Sequence, residues 1–333
     1  MPSFRALLLL ALFAPVIGCS PRPASPPPEE SRLKIAPDVQ SRLDRLVPTS
    51  LTADLSALSA ENRQVVALLA QASRQMDEIF LRQVWRGNPE LRESLAGLSG
   101  PLADPARAYY AVNFGPWDRL DAMAPFLGEQ PHPAAAGYYP EDLTADAMEA
   151  YLAANPGERE ALTGLYTLVE RQGEKLVAVP YSQAYRQWLE PAAATLRQAA
   201  GITQNASLRA FLTQRADAFL SDDYFASELA WMDLDSPVEI TIGPYETYED
   251  GLFGYKAAFE SYVTVALPEE SAKLARYKAE LPWLESNLPI PAELKNATRG
   301  TDSPIRVVDL AAAGGEAISG VMAIAFNLPN DER

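Results

Sequence analysis

The apolar pattern of this chain changes period once along its length, and that change limits the folds open to it. After Ser59, a residue suited to capping a helix, Val65, Leu68, Leu69, Ala72, Met76, Ile79, Phe80 and Val84 recur at the three-and-four spacing of one buried helix face. Gly87-Asn88-Pro89 stops that helix, and a second starts at Pro89. The stretch from Thr144 through Tyr151 to the Asn155-Pro156-Gly157 break, residues 182–200 and the stretch to Leu220 capped by Asn205 or Ser207 keep helical periodicity. Residues 165–170 and 175–179 flank Arg171-Gln172-Gly173-Glu174 and read as a short hairpin. After Trp231 the period falls to two. Residues 238–242 read as a strand broken by Gly243-Pro244, 259–266 alternate small and large side chains, and 268–288 return to helix. Residues 305–310 and 320–328 are β-rich again, the latter apolar enough for burial on both faces. The expected class is α+β: a mainly helical region over 49–230 and a mixed α/β region over 231–333.

The first residues read as an address. Arg5 precedes an apolar run over 6–16, of export-signal length and too short to span a bilayer. Val16-Ile17-Gly18-Cys19-Ser20 has the pattern of a bacterial lipobox, which makes 1–18 a signal peptide and Cys19 the lipid-bearing residue. The Pro-rich stretch that follows, within 19–48, is an extended tether. The expected location is the periplasmic face of the envelope, with the membrane as partner through Cys19 and with Ser20 compatible with outer-membrane sorting.

Charge and scarce side chains exclude several functions. With 28 Lys and Arg against 44 Asp and Glu, the formal charge of −16 repels nucleic acid. One Cys and one His rule out an internal disulfide and a zinc helix with two His. His132, between Pro131 and Pro133, reads as an exposed residue of an extended loop and not as a catalytic base. The acidic pairs Asp222-Asp223 and Asp233/Asp235 and the cluster Glu246/Glu249/Asp250 lack the ordered spacing of a calcium loop and read as solvated faces or caps. Gly314-Gly315 reads as a turn.

Residues 240–260, ITIGPYETYEDGLFGYKAAFE, place carboxylates and phenols on a loop at the end of a strand, either as a binding loop or as an edge loop with packing tyrosines. A carboxylate there can hold an ammonium, and a phenol can donate to a developing oxyanion. The aromatic stretch RAYYAVNFGPWDRLDAMAPFL, from Arg107, is a packed core loop or a binding wall.

IGPYETYEDGLFGYKAAFESYVTV, YYAVNFGPWDRL, FLSDDYFASELAWMDLDSPVEITIGP and the final AFNLPNDER together resemble the dipeptidyl-peptidase III family of zinc metallopeptidases, in its bacterial branch, from about Ser50 onward. The resemblance implies a two-lobed fold, one lobe helical and zinc-bearing, the other mixed with a β-barrel-like sheet, and a peptide substrate that loses N-terminal dipeptides. It further implies that Glu246 binds the substrate amine, that Tyr248 steadies the tetrahedral intermediate, and that Asn327 and Asn330 line the peptide. In animal and fungal members an Arg follows that Tyr; here Glu249 does. The family's zinc motifs lie beyond the matching segment, so the expectation is an N-terminal part, inactive alone, that cannot bind zinc at the family site and whose partner would be a C-terminal half. The other function class in play is a non-catalytic periplasmic peptide-binding or interaction lipoprotein.

Overall fold

The computed structural model describes residues 33–50, 52–296, 306–320 and 322. Eleven helices and seven strands follow in order among them. They are α1 (Val39–Leu43), α2 (Ala60–Val84), α3 (Asn88–Ala96), α4 (Ala103–Asn113), β1 (Trp117–Asp118), β2 (Ala124–Pro125), α5 (Ala145–Ala154), α6 (Arg159–Thr163), β3 (Thr167–Gln172), β4 (Lys175–Pro180) and α7 (Tyr181–Ala184). Then come α8 (Arg186–Ile202), α9 (Ala206–Ser221), α10 (Phe225–Met232), β5 (Val238–Glu246), β6 (Ala258–Ala266), α11 (Pro268–Ser286) and β7 (Val308–Gly315). The α+β class is as expected. The sheet of the second region is open and antiparallel, in the order β5-β6-β7, with no closed barrel among the described residues.

The helix starts follow from side chains that accept otherwise orphaned N–H groups. Ser59 accepts from Asn62, Thr144 from Ala147, and Asn205 from Leu208. Ser207 does not cap; its hydroxyl donates to Asn205 and to the Asp235 carbonyl. Asp222, left-handed at the end of α9, accepts from the backbone and hydroxyl of Ser182. The β3–β4 hairpin turns at Gly173, φ +64°, as the sequence suggests. The helix expected over 182–200 is divided at Tyr185 into α7 and α8.

Helix α2 packs on α8 on one side and on β6 and β7 on the other. Val65, Leu69, Ala72, Met76, Ile79 and Phe80, all read from the periodicity, are fully buried or nearly so. A polar seam joins the helix to the sheet. The Ser73 and Ser261 hydroxyls bond each other, and Asp77 Oδ1 accepts from Gly315 N–H at 2.7 Å. The buried Gln83 donates to the Ala257 carbonyl at 3.1 Å and accepts from Phe259 N–H at 2.8 Å. Gly314 and Gly315 are therefore not a turn but the end of β7. A Cβ on Gly314 would lie 2.4 Å from the Ser73 carbonyl oxygen, and one on Gly315 would lie 2.2 Å from that of Phe259.

One more expectation needs correction, and one open alternative closes. β5 runs through Gly243-Pro244 to Glu246, because β5 lies at the sheet edge, where a residue without N–H is tolerated, and the register shifts between Pro244 and Glu246. The aromatic stretch from Arg107 is core: Tyr109, Tyr110 and Trp117 are buried, and Asn88 Nδ2 donates to the Leu81 and Phe114 carbonyls at 2.8 Å. Asp118, fully buried, receives Arg42 at 3.2 Å and Arg45 at 3.0 Å from α1 and the turn after it. Cys19, and the expected strand over 320–328 apart from residues 320 and 322, lie outside the described residues.

Gly314→Ala should lower the free energy of unfolding by about 1–3 kcal/mol, the usual cost of overpacking. Gly157→Ala, with nothing within 4 Å of the added carbon, should stay within about 0.5 kcal/mol. Urea unfolding of the two variants checks both values.

Candidate functional site

The loop between β5 and β6 buries its second half and exposes its middle. Glu246 ends β5 half-buried, Tyr248 is 83% exposed, and Glu249 and Asp250 are each 5% exposed. Asp250 accepts five hydrogen bonds: from the N–H groups of Leu252, Phe253, Tyr255 and Lys256 at 2.9–3.2 Å, and from the Tyr139 hydroxyl at 2.7 Å. Lys256 points away from solvent, and its ammonium donates to the carbonyls of Leu162 and Gly164 and to Thr167 Oγ1 at 2.7–2.8 Å. Burial pushes this amine down to about 7, with Asp250 opposing. Glu249 Oε2 accepts from Arg119 Nη1 at 2.8 Å, and its Oε1 lies 3.6 Å from His132 Nε2.

His132 is thus not the exposed bystander its prolines suggest. Its ring meets Trp117 edge-on at 4.7 Å, and its side chain is 14% exposed. The extended loop lies across Trp117 and carries the imidazole inward. Burial holds the imidazole below its usual range, with Arg119 adding to that effect and Glu249 opposing it.

At the strand before the loop, Arg215 Nη1 donates to the Tyr245 hydroxyl at 2.8 Å and to the Ile242 carbonyl at 2.9 Å, while its Nη2 meets Glu228 at 2.6 Å. Gly243, φ +156°, leaves room for that guanidinium: a Cβ there would stand 2.5 Å from Nη1. A buried arginine with three oxygen partners orients the end of β5, although desolvation offsets much of the attraction.

Two carboxylates the sequence reading missed stand at the same end of the sheet. Burial, with Glu246 adding, pushes Glu260 up to about 7, and the Tyr262 hydroxyl that donates to it at 3.1 Å opposes. Burial, with Glu249, Glu260 and Glu246 adding and Arg119 opposing, pushes Glu316 well above the usual carboxylate range. Each was visible as a lone charge in an apolar run, AFESYV and AAAGGEAISG. Arg119 carried no such mark, since its partner is 130 residues away.

Of the site residues read from the sequence, the structure brings Glu246 and Tyr248 onto one loop. Asn327 and Asn330 lie outside the described residues. Among the described residues no group of three His, Cys, Asp or Glu side chains is arranged to hold a metal. His132, the chain's one imidazole, faces a carboxylate already paired with Arg119, so the described donor set does not fit a zinc ion. The acidic pairs elsewhere serve structure: Asp222 caps α9, and Asp235 receives Arg306. Two cavities lie apart from the loop. One, of about 340 Å³, lies between α3 and α4; the other, of about 380 Å³, is lined by Arg82, Arg86, Tyr185 and Trp188.

Comparison with known proteins gives a consistent result. A model of peptidase family M49 matches residues 126–300. A curated protein called Nudix hydrolase 3, from Arabidopsis thaliana, is 33% identical over 349 residues, covering 89% of this chain and 45% of the relative. The solved structure of DPP III from Caldithrix abyssi is 46% identical with a TM-score of 0.85, covering 88% of this chain and 56% of that one. That of dipeptidyl-peptidase III from Corallococcus sp. strain EGB is 44% identical with a TM-score of 0.82, covering 90% and 57%. The chain spans about half the length of these relatives.

Glu260 makes stability depend on pH in a defined direction. With its carboxyl raised from 4.5 to about 7 on folding, the native state binds more protons than the unfolded state between those values. Stability should therefore fall as pH rises from about 4.5 to 7, with Asp77, raised to about 6 mainly by burial, adding to the lower part of the window. Urea midpoints measured across this range should fall less steeply in Glu260→Gln.

Proposed function

The chain belongs to peptidase family M49, the dipeptidyl-peptidase III family, and from that premise we propose that it supplies the peptide-binding side of an enzyme that removes dipeptides from peptide N-termini. The observation that carries this reading is the β5–β6 loop, with a half-buried carboxylate, Glu246, beside an outward phenol, Tyr248. In this reading Glu246 accepts hydrogen bonds from the free N-terminal ammonium of the peptide, a charge-assisted contact that fixes which end of the substrate enters. Tyr248 donates its hydroxyl proton to the oxygen that gains charge as the scissile carbonyl becomes tetrahedral. Asn327 and Asn330 bind the peptide backbone. M49 is a metallopeptidase family, and its zinc would supply the activation of water. The described residues do not fit that ion, and no step here is assigned through it; the chain with its single His binds peptide and does not by itself cleave it.

We further propose that the chain is an exported lipoprotein held to the envelope through Cys19, with the Pro-rich stretch after it as a tether and the folded part on the periplasmic face. A second reading, a peptide-binding lipoprotein without chemistry, is favoured by the described donor set that fits no metal.

Titration calorimetry of the chain with a free tetrapeptide should show binding that weakens about tenfold or more in Glu246→Gln, and to a like extent when the peptide is N-acetylated, in keeping with the loss of a charged hydrogen bond. Equal affinity for the acetylated peptide would refute amine recognition by Glu246. The intact mass of the chain purified from membranes should carry acyl chains that Cys19→Ser lacks, and an unacylated wild-type mass would rule out the anchor.

A further inference from the structure

Tyr248 stands in a position that apolar burial does not favour. A tyrosine left 83% exposed forgoes the stabilisation of a buried ring, yet the residues on its C-terminal side, Glu249 and Asp250, are buried carboxylates. With 249 and 250 drawn inward, the chain turns Tyr248 out. Asp250 is held by groups of its own loop and by Tyr139, whereas Glu249 is gripped from outside the loop altogether.

The grip is itself built. Arg119 donates its backbone N–H to Asn113 Oδ1 and its Nε to the Asn113 carbonyl, both at 2.9 Å, and its guanidinium lies 5.4 Å from the Phe80 ring. Its Nη1 is left for Glu249. His132 stands against the other carboxylate oxygen of Glu249, braced by Trp117, whose indole N–H donates to the Gln130 carbonyl at 2.8 Å. Glu316 adds a further carboxylate to this neighbourhood, and the charge of Arg119 opposes the rise that burial imposes on it.

We propose that Arg119 and His132 are positioning residues for the candidate site. By pairing with one oxygen of Glu249, as Arg119 does, and by packing an imidazole against the other, as His132 does, they keep Tyr248 outward and Glu246 at the rim of the loop, the arrangement a peptide would need. The inference rests on the peptide-binding reading for its functional consequence, but the positioning itself is observable without any peptide.

The test places 3-fluorotyrosine at position 248 of the full chain and records its fluorine resonance. Arg119→Gln, His132→Gln and the near-isosteric Glu249→Gln should shift or broaden that resonance, and Arg119→Lys, which keeps the charge, should restore most of it. Leu196→Ala, a core change in α8, should lower the melting temperature without moving the resonance. In the same variants, tetrapeptide affinity should fall at least fivefold for Arg119→Gln and Glu249→Gln. An unchanged resonance in folded Glu249→Gln, or an equal change in Leu196→Ala, overturns the positioning role. A wild-type chain that binds no peptide, with the resonance responding as expected, supports the positioning and removes only the peptide-binding reading.

Discussion

Helix α2 has to satisfy two neighbours at once, and the polar seam along its sheet-facing side sets where everything downstream can lie. Ser73, Asp77 and Gln83 each meet a specific partner on the sheet, Ser261, Gly315 and the two ends of Ala257–Phe259. Apolar contacts would let a sheet slide on a helix, because they are not directional; hydrogen bonds from buried groups are directional and costly to leave unmade. The glycines at 314 and 315 let the backbones come close enough for these bonds to form. Once α2 fixes the start of β6 through Gln83, the exit of the β5–β6 loop is fixed too.

The loop then behaves as an extension of the core and not as a free surface turn. Buried carboxylates and amines are tolerated only where partners surround them. Asp250 meets that requirement with five donors and Lys256 with three acceptors, so the loop is closed on itself and tied to the turn before β3. Arg215 does the same for the end of β5. The neighbouring carboxylates, Glu260 and Glu316, are less completely matched, and their protons are correspondingly harder to remove.

How much of this was legible in the sequence depended on how far apart the interacting groups lie. The face of α2, the hairpin at Gly173 and the cap at Asn205 are local, written in spacing or in one turn residue, and all are present. The segment that carries Glu246 and Tyr248 stood out because carboxylates and phenols gather at the end of one strand, whereas the roles expected of those two residues came from the resemblance. What failed was tertiary. Prolines beside His132 told of an extended backbone, but not that Trp117 would receive it. Gly314-Gly315 promised a turn because nothing in the sequence shows a helix passing within contact distance. Gly243-Pro244 looked like a strand break because an edge position is a property of the sheet and not of the dipeptide. Glu249 looked like a solvated acid because its partner, Arg119, belongs to a different part of the chain.

That separation has a consequence for how the site comes into being. The groups that hold the loop, Arg119, Tyr139 and the carbonyls of Leu162 and Gly164, all precede it by about ninety residues or more. During synthesis from the N-terminus, at about 5–20 residues per second, Arg119 leaves the ribosome roughly 10 s before Glu249 is made. Helical neighbours of low sequence separation have ample time to form in that interval, whereas long-range closure is slow by comparison. The seat of the loop is thus encoded wholly upstream of it, and a cleavage that disturbs the seat deprives the loop of its shape without touching any residue in it.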